Sequence, residues 1–339
     1  MSDRVAIVKK PRTQVAIDAL RAEGVYDSSR RVEPYDDDRI AIPIVKAPSK
    51  TTVESVGTLD LPSRRRGLTD LLVEWGVSEN IIEAAPSSWA VLGNVILVDF
   101  GDVSADEALT SVERETIGDA LLELHGSAAT VLARGGISGT RRDPSASVVA
   151  GVGETETIHT EHGTKYALDL SKVMFSPGNK AERVRMGSVV TPGERVFDMF
   201  AGVGYFALPM ARAGALVTAA EIDPESYRFL TENVRLNDVT ENMRPVLGDC
   251  RTVETTADRI VMGYYEAHEY LDAAIGSLVT GGTIHLHEAT PEPYFPERPI
   301  ERLYTAAESA GRDIVGIETR EVKSHSAGVV HGVVDAEIA

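Results

Sequence analysis

Cysteine is almost absent from this chain of 339 residues: Cys250 stands alone. An internal disulfide and a multi-cysteine metal centre are thereby excluded. Lysine is also scarce, confined to Lys9, Lys10, Lys46, Lys50, Lys165, Lys172, Lys180 and Lys323. No apolar run approaches the roughly 20 residues that a membrane helix needs. The opening residues, MSDRVAIVKKPRTQ, contain no signal-peptide apolar stretch, so a soluble cytoplasmic protein is expected. There is no internal repeat and no low-complexity tract. The length accommodates two or three domains with a sizeable core.

What the chain has in excess is acid. Asp and Glu number 52 against 34 Lys plus Arg, a formal net charge of −18. An acidic, lysine-poor surface suits a cytoplasm at molar salt, where hydrated carboxylates keep the chain in solution. At about 1 M ionic strength the Debye length is roughly 3 Å, so this charge repels little beyond contact. Halophilic adaptation is therefore the preferred reading, against an ordinary acidic protein. Net acidity normally argues against a nucleic-acid partner, because binding leans on phosphate neutralisation. In molar salt that objection loses force, and contacts have to be short-range: arginine forks, hydrogen bonds and stacking.

Residues 1–58 read as a small αβ module, with a helix over 13–23, a solvated turn at 35–38 and a strand over 39–45. Residues 59–172 read as a middle α+β domain. Its expected elements are a helix over 67–75, one strand over 89–100, a helix over 111–124 and short strands near 131–133, 147–150, 156–161 and 164–169. The stretch 134–143, RGGISGTRRD, has the turn chemistry of an exposed loop. From 173 to 339 strands and helices alternate. Strands are expected at 195–199, 216–222, 244–247, 259–262 and 283–287, and helices at 205–212, 224–236, 267–279 and 298–311. That alternation predicts a doubly wound α/β domain with a mostly parallel, covered sheet, closed by an antiparallel hairpin of 314–322 and 328–338 at one edge.

The strongest local signal is DMFAGVGYFA at 198–207, a buried strand ending in a glycine turn that opens a helix. Gly202 and Gly204 let the backbone approach a ligand that a Cβ would push away. Ligands of open α/β sheets sit beyond the carboxyl ends of the strands, at the topological switch point. Taken alone, Gly-x-Gly-x-x-Ala is a weak signature. The next strand end strengthens it: Glu221 follows Gly202 by 19 residues, and a carboxylate there can accept from both ribose hydroxyls of a nucleoside. Gly248-Asp249-Cys250 ends the following strand, where Asp249 can accept from an adenine amino group. Three such strand ends in series point to an adenosine ligand, NAD or S-adenosylmethionine. A pyrophosphate wants a helix N-terminus without a nearby carboxylate. Asp198 instead suits the ammonium of a methionine moiety, which favours S-adenosylmethionine. The competing structural reading makes Asp198 a turn stabiliser and Glu221 a solvated helix cap.

The run FSPGNKAER at 175–183, followed by DMFAGVGYFALP at 198–209, resembles the group of tRNA N1-methylguanosine methyltransferases and wybutosine-synthesis enzymes. Within that group it is most similar to the archaeal aminocarboxypropyltransferases of wybutosine synthesis. The resemblance extends over about residues 60–339 through TETIHTEHG at 155–163, RIVMGYYEAHEYLDAA at 259–274, GGTIHLHEAT at 281–290 and ERPIERL at 297–303. It implies three parts: an N-terminal module, a middle RNA-associated domain and a Rossmann-type, methyltransferase-like domain. It also implies tRNA-Phe as the substrate, modified at the purine 3′ to the anticodon. The 3-amino-3-carboxypropyl group of S-adenosylmethionine would move to carbon 7 of 4-demethylwyosine, leaving methylthioadenosine. Neither a membrane nor an obligate protein partner is implied. Methylating siblings carry Asn-Pro-Pro or Asn-Leu-Pro after the fourth strand; this chain has Met262-Gly263-Tyr264-Tyr265, as the aminocarboxypropyl enzymes tend to.

By the same resemblance, Ser176 and Arg183 line the methionine end of the pocket, with Arg183 available to the carboxylate of the transferred group. The alternatives are a turn residue and a surface ion pair. Glu221, Asp249 and Cys250 would hold ribose and adenine, with no covalent role for the cysteine. Candidates for the base that removes the proton displaced from carbon 7 are His268, His285, His287 and Glu288. His285 and His287 share a face of one strand, and a zinc site there lacks further ligands. RNA contact falls to Arg64, Arg65, Arg66, Arg134, Arg141 and Arg142, with Tyr264 or Tyr265 available for base stacking. The rivals are a tRNA guanine-N1-methyltransferase, a non-catalytic tRNA-binding protein and an NAD oxidoreductase.

The charge balance makes a prediction of its own. Lowering KCl from about 2 M to about 0.1 M lengthens the Debye length from under 3 Å to about 10 Å, and the chain is expected to unfold, as read by circular dichroism. A melting temperature indifferent to salt rules out halophilic adaptation.

Overall fold

A computed structural model of the chain describes residues 3–62, 64, 67–101, 109–138 and 143–339, the side chains of 136–138, 143 and 144 excepted. Arg65, Arg66, Arg141 and Arg142 lie outside the described residues. The chain divides into two compact units, 1–83 and 84–339. Among the described residues no helix is long and apolar enough to cross a membrane.

The first unit is an antiparallel sheet of order β2-β3-β1-β4, formed by β1 (Asp3–Lys9), β2 (Glu33–Pro34), β3 (Arg39–Pro43) and β4 (Ser55–Leu59). Helix α1 (Thr13–Ala22) follows β1, and α2 (Leu68–Glu74) and α3 (Glu79–Ala84) follow the sheet. The sequence reading missed β1. Its core Val5–Val8 is apolar without alternation because both faces are covered: Ala6 and Val8 pack with Leu20 of α1, Val5 and Ile7 with Leu61. The expected turn is present, with the Asp36 carboxylate accepting from the amides of Asp38 and Arg39.

The second unit opens with a sheet of order β5-β6-β7-β8: β5 (Trp89–Leu92), β6 (Val95–Val98), β7 (Thr130–Ser138) and β8 (Asp143–Gly151). Helix α4 (Ser111–Leu124) makes the crossover between parallel β6 and β7 and is capped reciprocally by Thr110 and Glu113. The single strand expected over 89–100 is instead a hairpin turning at Gly93-Asn94. Gly93 holds φ +57, and a Cβ there would lie 2.6 Å from the Ile158 carbonyl oxygen. The loop expected over 134–143 is corrected too. Residues 134–138 continue β7 and Asp143 begins β8, because Gly135 lets the backbone press against Ser145, which a Cβ would meet at 2.9 Å.

The hairpin of β9 (Glu156–Glu161) and β10 (Thr164–Asp169) is tied to α7 (Pro224–Leu236) by asparagine. Fully buried Asn233 accepts from the Ala167 amide at 2.6 Å and donates to the carbonyls of Ala167 and Val203, both at 3.0 Å. One turn later, Asn237 does the same for the backbone of Lys165. The two amides substitute for a neighbouring strand and satisfy the open edge of β10.

The large sheet has the order β13-β12-β11-β14-β15-β17-β16. Its parallel strands are β11 (Arg195–Asp198), β12 (Leu216–Glu221), β13 (Met243–Leu247), β14 (Ala257–Met262) and β15 (Leu278–Pro291); β16 (Ile314–Ser326) and β17 (Val329–Ile338) add antiparallel. Helices α5 (Lys180–Val189), α6 (Ala207–Arg212), α8 (Leu271–Ser277) and α9 (Glu297–Ser309) complete the fold. The strands alternate between two cores. Val196, Val217 and Val261 face a cluster with Leu208, Phe229 and Leu230, whereas Phe197, Ala220 and Ile260 face one with Ile275, Leu303 and Val334. Leu92, Val95 and Leu132 belong to the first cluster. The helix expected over 267–279 is a short 3-10 turn, Ala267–Tyr270, followed by α8, and β15 begins at Leu278. Because β12 and β13 lie on one side of β11 and β14 on the other, the switch point falls at the tips of β11 and β14.

Asn233→Ala strips three buried backbone groups of a partner. At roughly 1 kcal/mol or more for each, a stability loss of about 3 kcal/mol is expected in urea unfolding, and a smaller loss for Asn237→Ala. Equal, negligible losses refute the edge-capping role.

Candidate active site

The tips of β11, β12, β13 and β14 open into one cavity of about 350 Å³. Its floor is the glycine turn after β11. Gly202 holds φ +56, and a Cβ there would come within 2.8 Å of the Tyr205 ring. Gly204, at φ +102, serves packing: a Cβ would strike Leu208 at 2.8 Å and Leu230 at 3.1 Å. The turn is pinned to the next strand by Glu221, whose carboxylate accepts from the Gly202 amide at 2.6 Å and the Asp223 amide at 2.8 Å. Burial raises the Glu221 pKa and the two amides oppose the rise. Asp223 in turn caps α7 by accepting from the Ser226 amide at 2.7 Å.

At the tip of β13, Asp249 accepts from the backbone amide of Arg251 at 2.9 Å and from its Nε at 3.0 Å; this pairing lowers the Asp249 pKa. The Arg251 guanidinium lies 4.9 Å from the centre of the Tyr270 ring. Burial pushes the Cys250 thiol up to about 12, with the Asp249 charge adding to it, so the thiol is neutral and unsuited to nucleophilic attack. Aromatic rings form the remaining wall. Phe200 packs 5.3 Å from Tyr264 and 5.1 Å, edge to face, from Tyr270. The Tyr264 hydroxyl donates to Glu266 at 2.6 Å. Two carboxylates on adjacent strand tips, a glycine turn at the floor and flat aromatic walls fit a nucleoside: a diol for one acid, an amino group for the other, and rings on which a base can stack.

Comparison with known proteins agrees with this geometry. A family model described as "TRM5/TYW2 methyltransferase domain" matches residues 157–315, and one described as "TYW2 N-terminal domain" matches 68–155. A Pyrococcus horikoshii protein named tRNA(Phe) (4-demethylwyosine(37)-C(7)) aminocarboxypropyltransferase is 36% identical over 264 residues, 77% of this chain and 92% of its own. Its namesake from Methanocaldococcus jannaschii is 44% identical over 206 residues, 59% of this chain and 82% of its own. The chain belongs to the TRM5/TYW2 family. The crystal structure of P. horikoshii TYW2 in complex with MeSAdo superposes with a TM-score of 0.69 at 33% identity, covering 80% of this chain and 97% of that one.

Within this TRM5/TYW2 cleft stand Gly202, Glu221, Asp249 and Cys250 as expected from the sequence, joined by Tyr264. Several other candidates stand elsewhere. Arg183 is buried at 3% exposure, its Nε and Nη2 on the Glu161 carboxylate at 2.7 and 3.0 Å and its Nη1 on the Ser176 carbonyl. This fork is spent on a carboxylate 22 residues away, and Glu161 is held at about 2: burial raises it, but hydrogen bonds from His159 and Arg183 prevail. Ser176 Oγ accepts from Lys323 rather than facing the cavity. Asp198 is fully buried beneath the turn and accepts from the Phe200 amide at 3.2 Å, so it organises the glycine loop from behind.

The proposed bases are likewise displaced. Glu288 is buried under α9, accepting from Arg298 at 2.8 Å, Arg302 at 2.6 Å and Thr290 at 2.9 Å. His285 is buried between Asp335 and Arg259. His287 is buried beside His331 at 3.0 Å, and burial, reinforced by His331, drives its pKa well below the usual imidazole range. His268 lines a separate surface groove with Arg298 and Arg302. Among the described residues no group of three or more His, Cys, Asp or Glu side chains is arranged to hold a metal ion. Arg64 and Arg134 are exposed. Sequence reasoning overlooked Phe200, Arg251 and Tyr270; the adenine-side arginine was detectable as the residue two beyond Asp249, whereas Tyr270 was absorbed into an expected helix.

The buried Asp198 carboxyl is raised to about 7 by burial, with the Glu221 charge adding to the rise. The native state therefore keeps this proton up to about pH 7, whereas the unfolded chain releases it near the ordinary aspartate value of 3.8. Its stabilising effect is complete in acid and is lost as pH rises through 7. Asp198→Asn removes the titration, so the stability of wild type relative to variant is expected to fall between about pH 5 and about pH 8 in urea unfolding. A difference that does not change with pH would place the Asp198 titration elsewhere.

Proposed function

We propose that this chain transfers the 3-amino-3-carboxypropyl group of S-adenosyl-L-methionine to carbon 7 of 4-demethylwyosine at position 37 of tRNA(Phe). The observation that carries the reading is the nucleoside cleft of Gly202, Glu221 and Asp249 in a chain 36% identical to a relative of that name across 92% of the relative's length. The Met262-Gly263-Tyr264-Tyr265 loop, which borders the same cleft, supports transfer of the larger group over methylation by a tRNA guanine-N1-methyltransferase.

When bound, S-adenosylmethionine supplies a sulfonium carbon open to displacement, with methylthioadenosine leaving. The protein's part is to hold and aim. Glu221 takes the ribose diol, with the Gly202 and Asp223 amides opposing the rise in pKa that burial imposes. Asp249 and the Cys250 amide take the adenine edge, with Tyr270 and Phe200 as the stacking surface. Displacement requires the incoming base in line with the bond that breaks, and Gly263 and Tyr264 border the face from which the base enters. Carbon 7 loses a proton once the new bond has formed, and restored aromaticity of the ring drives that loss to solvent.

The middle domain, 59–172, engages the tRNA, with 1–58 as the N-terminal module and 173–339 as the catalytic part. Arg64, Arg65, Arg66, Arg141 and Arg142 supply short-range phosphate and base contacts, and the enzyme works in the cytoplasm. Incubation with S-adenosylmethionine and tRNA(Phe) carrying 4-demethylwyosine is expected to yield methylthioadenosine. Glu221→Ala, which removes two charge-assisted hydrogen bonds to the ribose, is expected to weaken cofactor binding about 100-fold or more. S-adenosylhomocysteine as the sole product would instead identify a methyltransferase.

A further inference from the structure

We propose that Arg251 binds a phosphate of the tRNA strand that lies over the cleft, with Asp249 and Tyr270 holding its guanidinium in place for that contact. The inference rests on the tRNA reading above and goes beyond it in naming an RNA contact on the catalytic half of the chain, at the mouth of the cofactor cleft.

Electrostatics raises the need. To deliver a base, a polyanion has to approach a cleft whose walls carry two carboxylates, Glu221 and Asp249. The chain as a whole has a formal net charge of −18. Like charges brought together without an intervening cation cost affinity. Among the described residues that line the cleft, Arg251 is the one cation.

Its side chain is fixed on two sides and open on a third. Nε lies 3.0 Å from one Asp249 oxygen and 3.1 Å from the other, and Nη2 donates to the same carboxylate. The guanidinium rests 4.9 Å from the centre of the Tyr270 ring. Nη1 makes no hydrogen bond to the protein among the described residues, and the side chain is 56% exposed. An exposed ion pair adds little to stability, so the fork and the ring serve orientation. A planar guanidinium already held in one attitude loses less freedom when it takes a phosphate. The strand tip beside it is uncrowded: Gly248 holds φ +151, and a Cβ there would meet nothing within 4 Å.

The position suits a strand whose base enters the cleft. Tyr270 packs on Phe200 at 5.1 Å, and Phe200 lies 5.3 Å from Tyr264. Arg251, Tyr270, Phe200 and Tyr264 thus form one wall, running from the adenine side to the loop after β14. A base that enters beside Tyr264 lays the sugar–phosphate chain of its neighbours along this wall, toward Arg251. The cofactor itself brings no acid to that end. The carboxylate of S-adenosylmethionine terminates the arm, on the far side of the ribose from adenine, whereas Arg251 adjoins Asp249 and the adenine edge. An RNA phosphate is the anion that arrives from outside.

Binding of tRNA(Phe) carrying 4-demethylwyosine to full-length wild type, Arg251→Gln and Arg251→Lys, measured at several KCl concentrations, tests this. Calorimetric titration with methylthioadenosine is the control. Glutamine keeps a donor for Asp249 and loses the charge. For Arg251→Gln, tRNA affinity is expected to fall about tenfold, the loss of one charge-assisted contact. The slope of log affinity against log salt is expected to become shallower by roughly 0.7, the share of one single-strand phosphate. Methylthioadenosine affinity is expected to stay within about threefold of wild type, which also shows that the variant is folded. Arg251→Lys keeps the charge and is expected to retain the wild-type slope. Unchanged tRNA affinity overturns the proposal, as does a loss of affinity at unchanged slope, since no phosphate charge is then involved. Equal weakening of tRNA and methylthioadenosine also overturns it and confines Arg251 to the nucleoside site. If wild type binds methylthioadenosine but no tRNA, the tRNA reading itself fails.

Discussion

The site depends on one hydrogen bond, from the Gly202 amide to the carboxylate of Glu221. It joins the tips of two parallel strands and gives the glycine turn a fixed shape before any ligand arrives. A buried acid without donors would simply take up a proton; two backbone amides instead supply it with a fixed positive environment. The same charge acts backwards on Asp198, whose own raised pKa comes first from burial and then from Glu221. The two acids divide the work: the one behind the turn shapes it, and the one beside it presents its oxygens to the cleft.

The other half of the sheet is held by charge as well, with partly buried arginines converging on the buried Asp335 and His285. Asp335 on β17 accepts from Arg185 of α5, Arg320 of β16 and His285 of β15. Arg259 of β14 reaches His285 at 2.6 Å and Glu194 at 2.6 Å. These pairs knit the antiparallel addition to the helix in front of it. Molar salt screens exposed pairs nearly to contact distance but screens buried ones much less.

Much of the fold was legible from periodicity. Helix α7, the strands at 156–161 and 164–169, and the order of alternation after 194 follow from local pattern, because each element buries one face or is covered on both. What escaped depended on partners far away in sequence. Nothing near Arg183 on α5 reveals that Glu161, on the β9–β10 hairpin, takes its guanidinium, and nothing in GGTIHLHEAT distinguishes a base from the buried Glu288 that Arg298 and Arg302 neutralise. Gly93 and Gly135 show a subtler limit. Glycine marks a break in the side-chain row, but only the opposing backbone decides whether the chain turns there, as at Gly93, or shifts register within one strand, as at Gly135. The cleft itself was readable because its chemistry sits on consecutive strand ends, two of them marked by Gly202 and Gly248.

This division bears on specificity within the TRM5/TYW2 family. Contacts to ribose and adenine bind a methyl donor and an aminocarboxypropyl donor equally, since both are the same molecule, and uniform binding cannot select one carbon over another. Selection therefore has to come from groups that touch the sulfonium substituents or the incoming base. In this chain the loop after β14 brings Gly263 and Tyr264 to the cleft, apart from the glycine turn and from Glu221 and Asp249. A scaffold built this way can keep its cofactor grip unchanged while a few side chains at the far end of the cleft turn the molecule's reactive face.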